Sequence, residues 1–535
     1  MKTEEKTAEA IYESSNKWLW VELKSNPLVL NLVDQYEHLV YGPCEFPSEA
    51  FVISCFNNSV ITRRSVQDFD LIEHYLHDGS ALSKVQEQKI ERECNIIGLI
   101  QGPDEVIYFI KFELGDVLIS QFPSNTNGYK LNLEFDHIYH PPIIVNSNIY
   151  ATGVTSDHRT LCYVYDVFKC CNVISVPENT IQSIPLSDNK LACLIAPQGG
   201  HLSSIIILDA NGKELQRIVL DNLWLLHCRH CQGRVILYVS TRGRKRYYII
   251  DLDLTIYITD SPPLNFLRDN TLLLKKSDDK SRINLLQTQI QSFKWERKKG
   301  GYIEGLYPVG QINSTAPVMI MLHGGPHDAW YDDSPNDLVH DLNQIGFVVA
   351  QPNLPGSVGY GDTYLLELDH IYLEHNFIKD MVEICNQLRT LGHSKVFVYG
   401  ESFGAYLAAR CGFELGKEYV SGIVAVNGFF DPNFDILLAG REAQLLSERL
   451  FANPNEGAHL LGSIKPLVNI TSPPTLLLAS EFDMNVNHLN SSDFHDFIRK
   501  KNGDVTLSIM KDSTHKVWPQ EFFKNTILSF LDSYR

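Results

Sequence analysis

The order of apolar and polar residues divides this chain into two stretches built on different periods. From about Leu19 to about Gln289, short alternating or β-branched runs are broken by turn residues, as in NIYATGVTSDHRTLCYVYDV, NKLACLIAPQGGHLSSIIILDANGKEL and GRVILYVSTRGRKRYYIIDLDLTIYI. Each unit offers an apolar strand, a polar turn and a second strand. Units begin near Asn148, Asn189 and Gly233, a repeat of roughly 40 to 45 residues that matches four-stranded propeller blades and predicts about six of them, with five to seven allowed. An irregular β-sandwich is the alternative. The segment before Trp18 reads as a short helical arm. After Phe293 the runs PVMIMLHGGP, GFVVAQPN, KVFVYGES, GIVAVNG and PTLLLASEFD are continuously apolar and end in glycine or polar residues, with helical stretches such as NFIKDMVEICNQLRTLG between them. Strands buried on both faces and alternating with helices predict a mostly parallel α/β sheet. Chemistry in such sheets gathers beyond the carboxyl ends of the strands.

The stretch VYGESFGAYLAA, Val398 to Ala409, puts Ser402 between Gly400 and Gly404 where a strand should turn sharply into a helix. This is the setting of a nucleophile elbow, the strained turn of α/β-hydrolases. A serine nucleophile needs a base, and the base needs a carboxylate to fix its tautomer. In the hydrolase order of serine, acid, histidine, PTLLLASEFDMNV supplies Asp483 and VTLSIMKDSTHKVW supplies His515. Asp431, Glu481 and Asp512 compete as acids or turn formers, and His488 and His495 as bases. LHGGPH follows a strand and suits the presentation of backbone N–H groups to an oxyanion. Gly325 and the residue after the nucleophile, Phe403, are the expected donors, with His323 and His327 stabilising the loop. A serine capping a helix is the plain alternative for Ser402.

Composition narrows the partners. The 535 residues are 44% hydrophobic and 21% charged, with a formal net charge of -18 and a pI near 5.5. Such a chain repels polyanions, so no nucleic-acid partner is expected, and the basic turn Arg242, Arg244, Lys245, Arg246 reads as a solvated loop. No apolar run approaches the roughly 18 residues of a membrane span, no secretory signal is visible, and a cytoplasmic location with no membrane partner is expected. The eleven cysteines lack a framework spacing, which fits reduced thiols. HCRHC, with His227, Cys228, His230 and Cys231, reads as alternating strand residues, and no metal site is expected.

The ordered set HGGPH, PNLPGSVGYGD, GESFGAY, AVNGFFD, SEFDMNV and DSTHKVW resembles the prolyl oligopeptidase family of serine peptidases, within it most closely the acylaminoacyl-peptidase and dipeptidyl-peptidase-like branch. The resemblance spans the C-terminal half. It implies a β-propeller-like cap domain that admits only small or unfolded peptides and an α/β-hydrolase catalytic domain; with the helical arm read above, the expected division is 1–18, 19–290 and 291–535. It also implies Ser402, Asp483 and His515 as the triad, Gly325 and Phe403 as oxyanion donors, and Phe429 and Phe430 as the wall of an apolar or proline-like substrate pocket, with packing in the core as the alternative for these two aromatics. The chain departs from the family pattern in two places: Pro355 stands where N-x-R-G-S has arginine, and Glu401 stands where the elbow has a small residue. No pair of glutamates for a free amino terminus is evident in the first half. The expected activity is hydrolysis of short peptides or N-acyl-peptides through an acyl-enzyme, with no cofactor. An esterase, thioesterase or acyltransferase using the same triad on a small acylated metabolite is the second reading, and a noncatalytic propeller interaction protein the third. A homo-oligomer is compatible with either enzyme reading.

Overall fold

Regularly spaced turn residues cut the first part of the chain into antiparallel strands, each short enough to return on its neighbour. The computed structural model describes residues from Ala10 to Tyr534 apart from short connecting segments and the stretches 260–289, 309–314, 332–336, 433–461 and 516–520. The chain divides into two units, residues 1–239 with 246–276, and residues 240–245 with 277–535.

In the first unit, strands between Ala10 and Glu45, Phe51 and Glu91, Ile96 and Lys130, and Ile143 and Ser175 form four sheets of four strands each. A further sheet of seven strands runs from Thr180 to Thr259. Its 18-residue strand Glu214–Cys231 pairs along its first part with His201–Leu208 and is followed in the sheet by Arg234–Thr241. One long strand thus ends one blade and opens another, and six blades are legible among the described residues. The sequence repeat is the second strand of a blade: Asn148–Val154, Lys190–Ile195 and Arg234–Thr241 begin where the apolar runs do. HCRHC lies along Glu214–Cys231, as strand alternation requires.

One expectation is corrected. Ala10–Glu13 is a strand, antiparallel to Trp18–Ser25, where a helical arm was expected; residues 1–9 lie outside the described residues. The alanine- and glutamate-rich segment favours helix by propensity, but pairing with the strand run that follows overrides so weak a preference.

The second unit is one eight-stranded sheet: β1 Ile290–Glu296, β2 Tyr302–Pro308, β3 Val318–Leu322, β4 Val348–Asn353, β5 Val396–Glu401, β6 Gly422–Val426, β7 Thr475–Ser480 and β8 Val505–Met510. Their spatial order is β1-β2-β4-β3-β5-β6-β7-β8. The pairs β1–β2 and β2–β4 are antiparallel and the rest are parallel, the arrangement of an α/β-hydrolase. Helices α1 Asp337–Gln344, α2 Asp362–Leu366, α3 Phe377–Thr390, α4 Phe403–Tyr419, α5 Leu489–Lys500 and α6 Glu521–Tyr534 accompany it. Two apolar cores result. One contains Val318, Ile320, Val398, Met381 and Ala408, and the other contains Met319, Phe397, Val424, Phe523 and Ile527. Alternate residues of β3 enter opposite cores, so the continuous apolar run is explained by burial on both faces.

A buried ion cluster joins the first hairpin to the helices. The Arg297 guanidinium donates to Asp380 at 2.8 and 3.1 Å and to Glu367 at 2.7 Å. Burial works against its charge, and the hydrogen bonds to Glu367 and Asp380 outweigh burial, holding its pKa above the ordinary value. Removing one member of such a cluster leaves an uncompensated buried charge. Asp380→Ala should therefore destabilise the hydrolase unit by about 3–5 kcal/mol, read as a lowered urea midpoint by tryptophan fluorescence; an unchanged midpoint would contradict it.

Candidate active site

Strands β3 and β5 lie side by side in register, Leu322 opposite Gly400, while the next strand in the chain after β3, β4, lies on its other side. That is the point at which strand order reverses, and loops leaving it open a crevice. The glycine-rich loop after β3 and the elbow after β5 both leave the sheet here. Their contact is too close for side chains. A Cβ at Gly400 would lie 1.9 Å from the Gly404 oxygen, and a Cβ at Gly404 would lie 2.2 Å from the Leu322 oxygen. The turn itself is strained: Ser402 has φ 56 and ψ -122, a conformation that L side chains avoid. Its N–H donates to the Val426 carbonyl at the end of β6 (2.9 Å), and α4 starts at the next residue. Gly324 faces the elbow, for a Cβ there would stand 3.4 Å from Ser402 Cβ.

The acid and base meet across the ends of β7 and β8. His515 Nδ1 and Asp483 Oδ2 are 2.6 Å apart. Asp483 is fully shielded, while the His515 side chain keeps 22% of its surface open. The other carboxylate oxygen accepts the N–H groups of Asn485 and Val486, each at 2.9 Å. Both Asp483 oxygens are therefore occupied by donors, which orients the carboxylate toward the ring. Glu481, two residues earlier, is tied by its N–H to the Met510 carbonyl. Asp431 pairs with Lys465, His488 precedes α5 and His495 contacts Asp496. Asp512 lies outside the described residues.

Gly325, with φ 119, lies on the glycine loop after β3, and Phe403 directly follows the elbow serine as the first residue of α4. His323 braces the glycine loop. Its Nδ1–H donates to the Gly324 carbonyl at 2.8 Å, and its Nε2 lies 2.8 Å from the oxygen of Ser357, whose hydroxyl donates to the Leu354 carbonyl at 2.6 Å. Asn353 holds the same loop through the Trp330 N–H and carbonyl at 2.7 and 3.1 Å. Both Asn353 and Ser357 belong to NLPGS, so that stretch supports the glycine loop although its arginine position is Pro355. The sequence reading assigned them no role. Their place in a motif between two strand ends was the only signal.

Phe429 and Phe430 part company. Phe429 is half-buried and stacks on Tyr406 at 5.3 Å, with Phe403 at 6.5 Å. Phe430 is 1% exposed and stacks on Phe494 at 4.4 Å; its side chain belongs to the core, the alternative that the sequence left open. The described thiols are poor nucleophiles, since burial pushes Cys385 up to about 12 and Cys162 up to about 11. Among the described residues no three metal-binding side chains cluster, and no helix is long and apolar enough to cross a membrane.

Two outcomes follow from this geometry. Glycine accepts the Ser402 conformation without strain, so Ser402→Gly should exceed Ser402→Ala in stability by about 1–3 kcal/mol, measured by denaturant unfolding; equal stability would show that the elbow is relaxed. Burial lowers the His323 pKa, with Asp328 opposing and His327 adding to the effect. A depressed folded value means that neutral His323 contributes stability above about pH 6.5 which is lost as pH falls through the folded value. Melting temperature should then fall more steeply below pH 6.5 in the parent protein than in His323→Gln, and parallel curves would refute this.

Residues 338–534 match the prolyl oligopeptidase family model, Peptidase_S9. The acylamino-acid-releasing enzyme of Mus musculus is 26% identical over 243 residues, covering 40% of this chain and 31% of that protein; the chain thus spans about a third of this relative. Among solved structures, Pyrococcus horikoshii acylaminoacyl peptidase aligns with a TM-score of 0.66 at 15% identity, over 100% of this chain and 97% of the other. Oligopeptidase B from Leishmania major aligns with a TM-score of 0.72 at 12% identity, over 98% and 86%. At these identities the structural likeness speaks for the fold. The fold is an N-terminal β-propeller followed by a C-terminal α/β-hydrolase domain, and residues 338–534 of the latter carry the match to the prolyl oligopeptidase family model.

Proposed function

We propose that this protein is a serine peptidase that cleaves short peptides or N-acyl-peptides through an acyl-enzyme. The observation that carries the reading is the 2.6 Å contact of His515 with shielded Asp483, beyond the ends of β7 and β8, with β6 between them and the strand that leads to the strained Ser402 elbow. Ser402 Oγ attacks the scissile carbonyl carbon while His515 Nε2 takes its proton. Asp483 accepts Nδ1–H, which fixes the tautomer and stabilises the imidazolium. The N–H groups of Gly325 and Phe403 hold the developing oxyanion. Collapse breaks the C–N bond, the amine leaves with the proton from His515, and water repeats the sequence on the ester to release the acid and free Ser402. These steps call on no metal or organic cofactor. Phe429, stacked on Tyr406, supplies an apolar wall for the acyl residue. The likeness to the mouse acylamino-acid-releasing enzyme supports an N-acylated substrate.

A second reading keeps the triad and hydrolyses or transfers an ester or thioester acyl group. It is favoured by Pro355, which with Leu354, Leu368 and Phe403 lines a small apolar cleft where the family pattern has arginine. A panel of acyl-aminoacyl amides and simple esters separates the two. The peptidase should turn over amides, with kcat lowered about 10⁶-fold by Ser402→Ala and loss of fluorophosphonate labelling. Its rate should rise with pH as an imidazole base loses its proton, ordinarily near 6.5. Turnover of esters alone would reject the peptidase, and an unlabelled, folded protein would reject both enzymes.

A further inference from the structure

Asn427 closes β6 with a left-handed backbone, φ 46, and is 2% exposed. Its own N–H donates to the Leu478 carbonyl of β7 at 2.8 Å. Its side chain accepts the Ser480 N–H at 2.8 Å and donates to Ser480 Oγ at 3.1 Å and to the His515 carbonyl at 3.0 Å. The amide orientation is fixed by chemistry, because an N–H needs the side-chain oxygen and a carbonyl needs the NH₂. Ser480 ends the strand that leads to Asp483, whose N–H returns to the Ser480 carbonyl at 3.3 Å. Ser513, two residues before His515, donates to Ser480 Oγ at 3.1 Å and accepts the Phe482 N–H at 2.8 Å. One residue before Asn427, the Val426 carbonyl receives the Ser402 N–H.

We infer that Asn427 is a positioning residue for the His515 base. The inference rests on the triad reading above. Asp483 fixes the imidazole from its Nδ1 side, yet a ring held at one point can still swing with its main chain. The Asn427 NH₂ holds that main chain at the carbonyl of His515 itself. Because the same amide grips Ser480, base and acid loops are referenced to one atom group, and through Val426 to the strand end that also holds the nucleophile. Glycine and aspartate both tolerate the left-handed backbone better than branched residues do, so backbone strain and hydrogen bonding can be tested apart. Aspartate at 427 keeps the shape and the acceptor for Ser480 N–H but offers no donor to the His515 carbonyl.

Asn427→Gly and Asn427→Asp should each lower kcat about 10- to 100-fold, the scale of a misplaced catalytic group, with KM nearly unchanged and fluorophosphonate labelling of Ser402 slowed in proportion. In an His515→Ala background Asn427→Gly should cause no further loss, because its effect passes through the imidazole. Folded variants with kcat within twofold of the parent protein would overturn the assignment, as would an equal further loss without His515. Variants that both fail to fold would assign Asn427 to the fold alone and overturn it too. A parent protein that is folded but does not label would instead reject the triad reading, which keeps the two failures distinct.

Discussion

The hydrolase unit depends on one close approach of backbone to backbone. β3 and β5 can leave the sheet together only if α4 starts hard against both, and that requires hydrogen in place of Cβ at Gly400 and Gly404. The approach puts the Leu322–Gly325 loop beside Ser402 and forces the elbow into its strained backbone. Strain of this kind persists only where the surroundings over-determine it. Here the Ser402 N–H is held by Val426, α4 is packed into a core through Ala405, Ala408 and Ala409, and the facing loop is braced by His323 and Ser357.

Two buried carboxylates show how differently this unit treats negative charge. Asp380 meets a guanidinium in a bidentate pair, so its charge is neutralised locally and the group is committed to structure. Asp483 has two backbone N–H donors and one imidazole. Neutral dipoles stabilise its charge without cancelling it, and the field is left directed at the ring. An arginine beside Asp483 would compete for the oxygen that the imidazole uses. A carboxylate solvated by backbone is what the base role proposed for His515 requires.

The parts that were legible in the sequence are those governed by short-range pattern. Strand ends, the glycines around Ser402, and the order of Ser402, Asp483 and His515 follow from apolar runs stopping at polar residues, and the first-unit repeat follows from the even spacing of turns. What stayed hidden depends on which strand lies beside which. Ala10–Glu13 follows an alanine- and glutamate-rich run that favours helix, and its pairing with Trp18–Ser25 makes it a strand. Phe429 and Phe430 are indistinguishable as letters, but one faces Tyr406 and the other Phe494. Asn427 followed by Gly428 reads as an ordinary turn, since its partners at 480 and 515 lie far along the chain.

The same contrast explains how a hydrolase sheet can tolerate change in its motif residues. Replacing arginine by Pro355 removes a charge, yet Asn353 and Ser357 on either side still bind Trp330 and His323, so the glycine loop keeps its support. Support of that kind is distributed over several modest hydrogen bonds, each worth about 0.5–1.5 kcal/mol, and no one of them is indispensable. The close approach at Gly400 and Gly404 is of another type. A contact of 1.9 or 2.2 Å cannot be shared among neighbours or relaxed by a rotamer, because the opposing atoms are backbone. Loop-bracing residues can therefore vary while the elbow glycines cannot, and variation in substrate handling has room beside the elbow rather than within it.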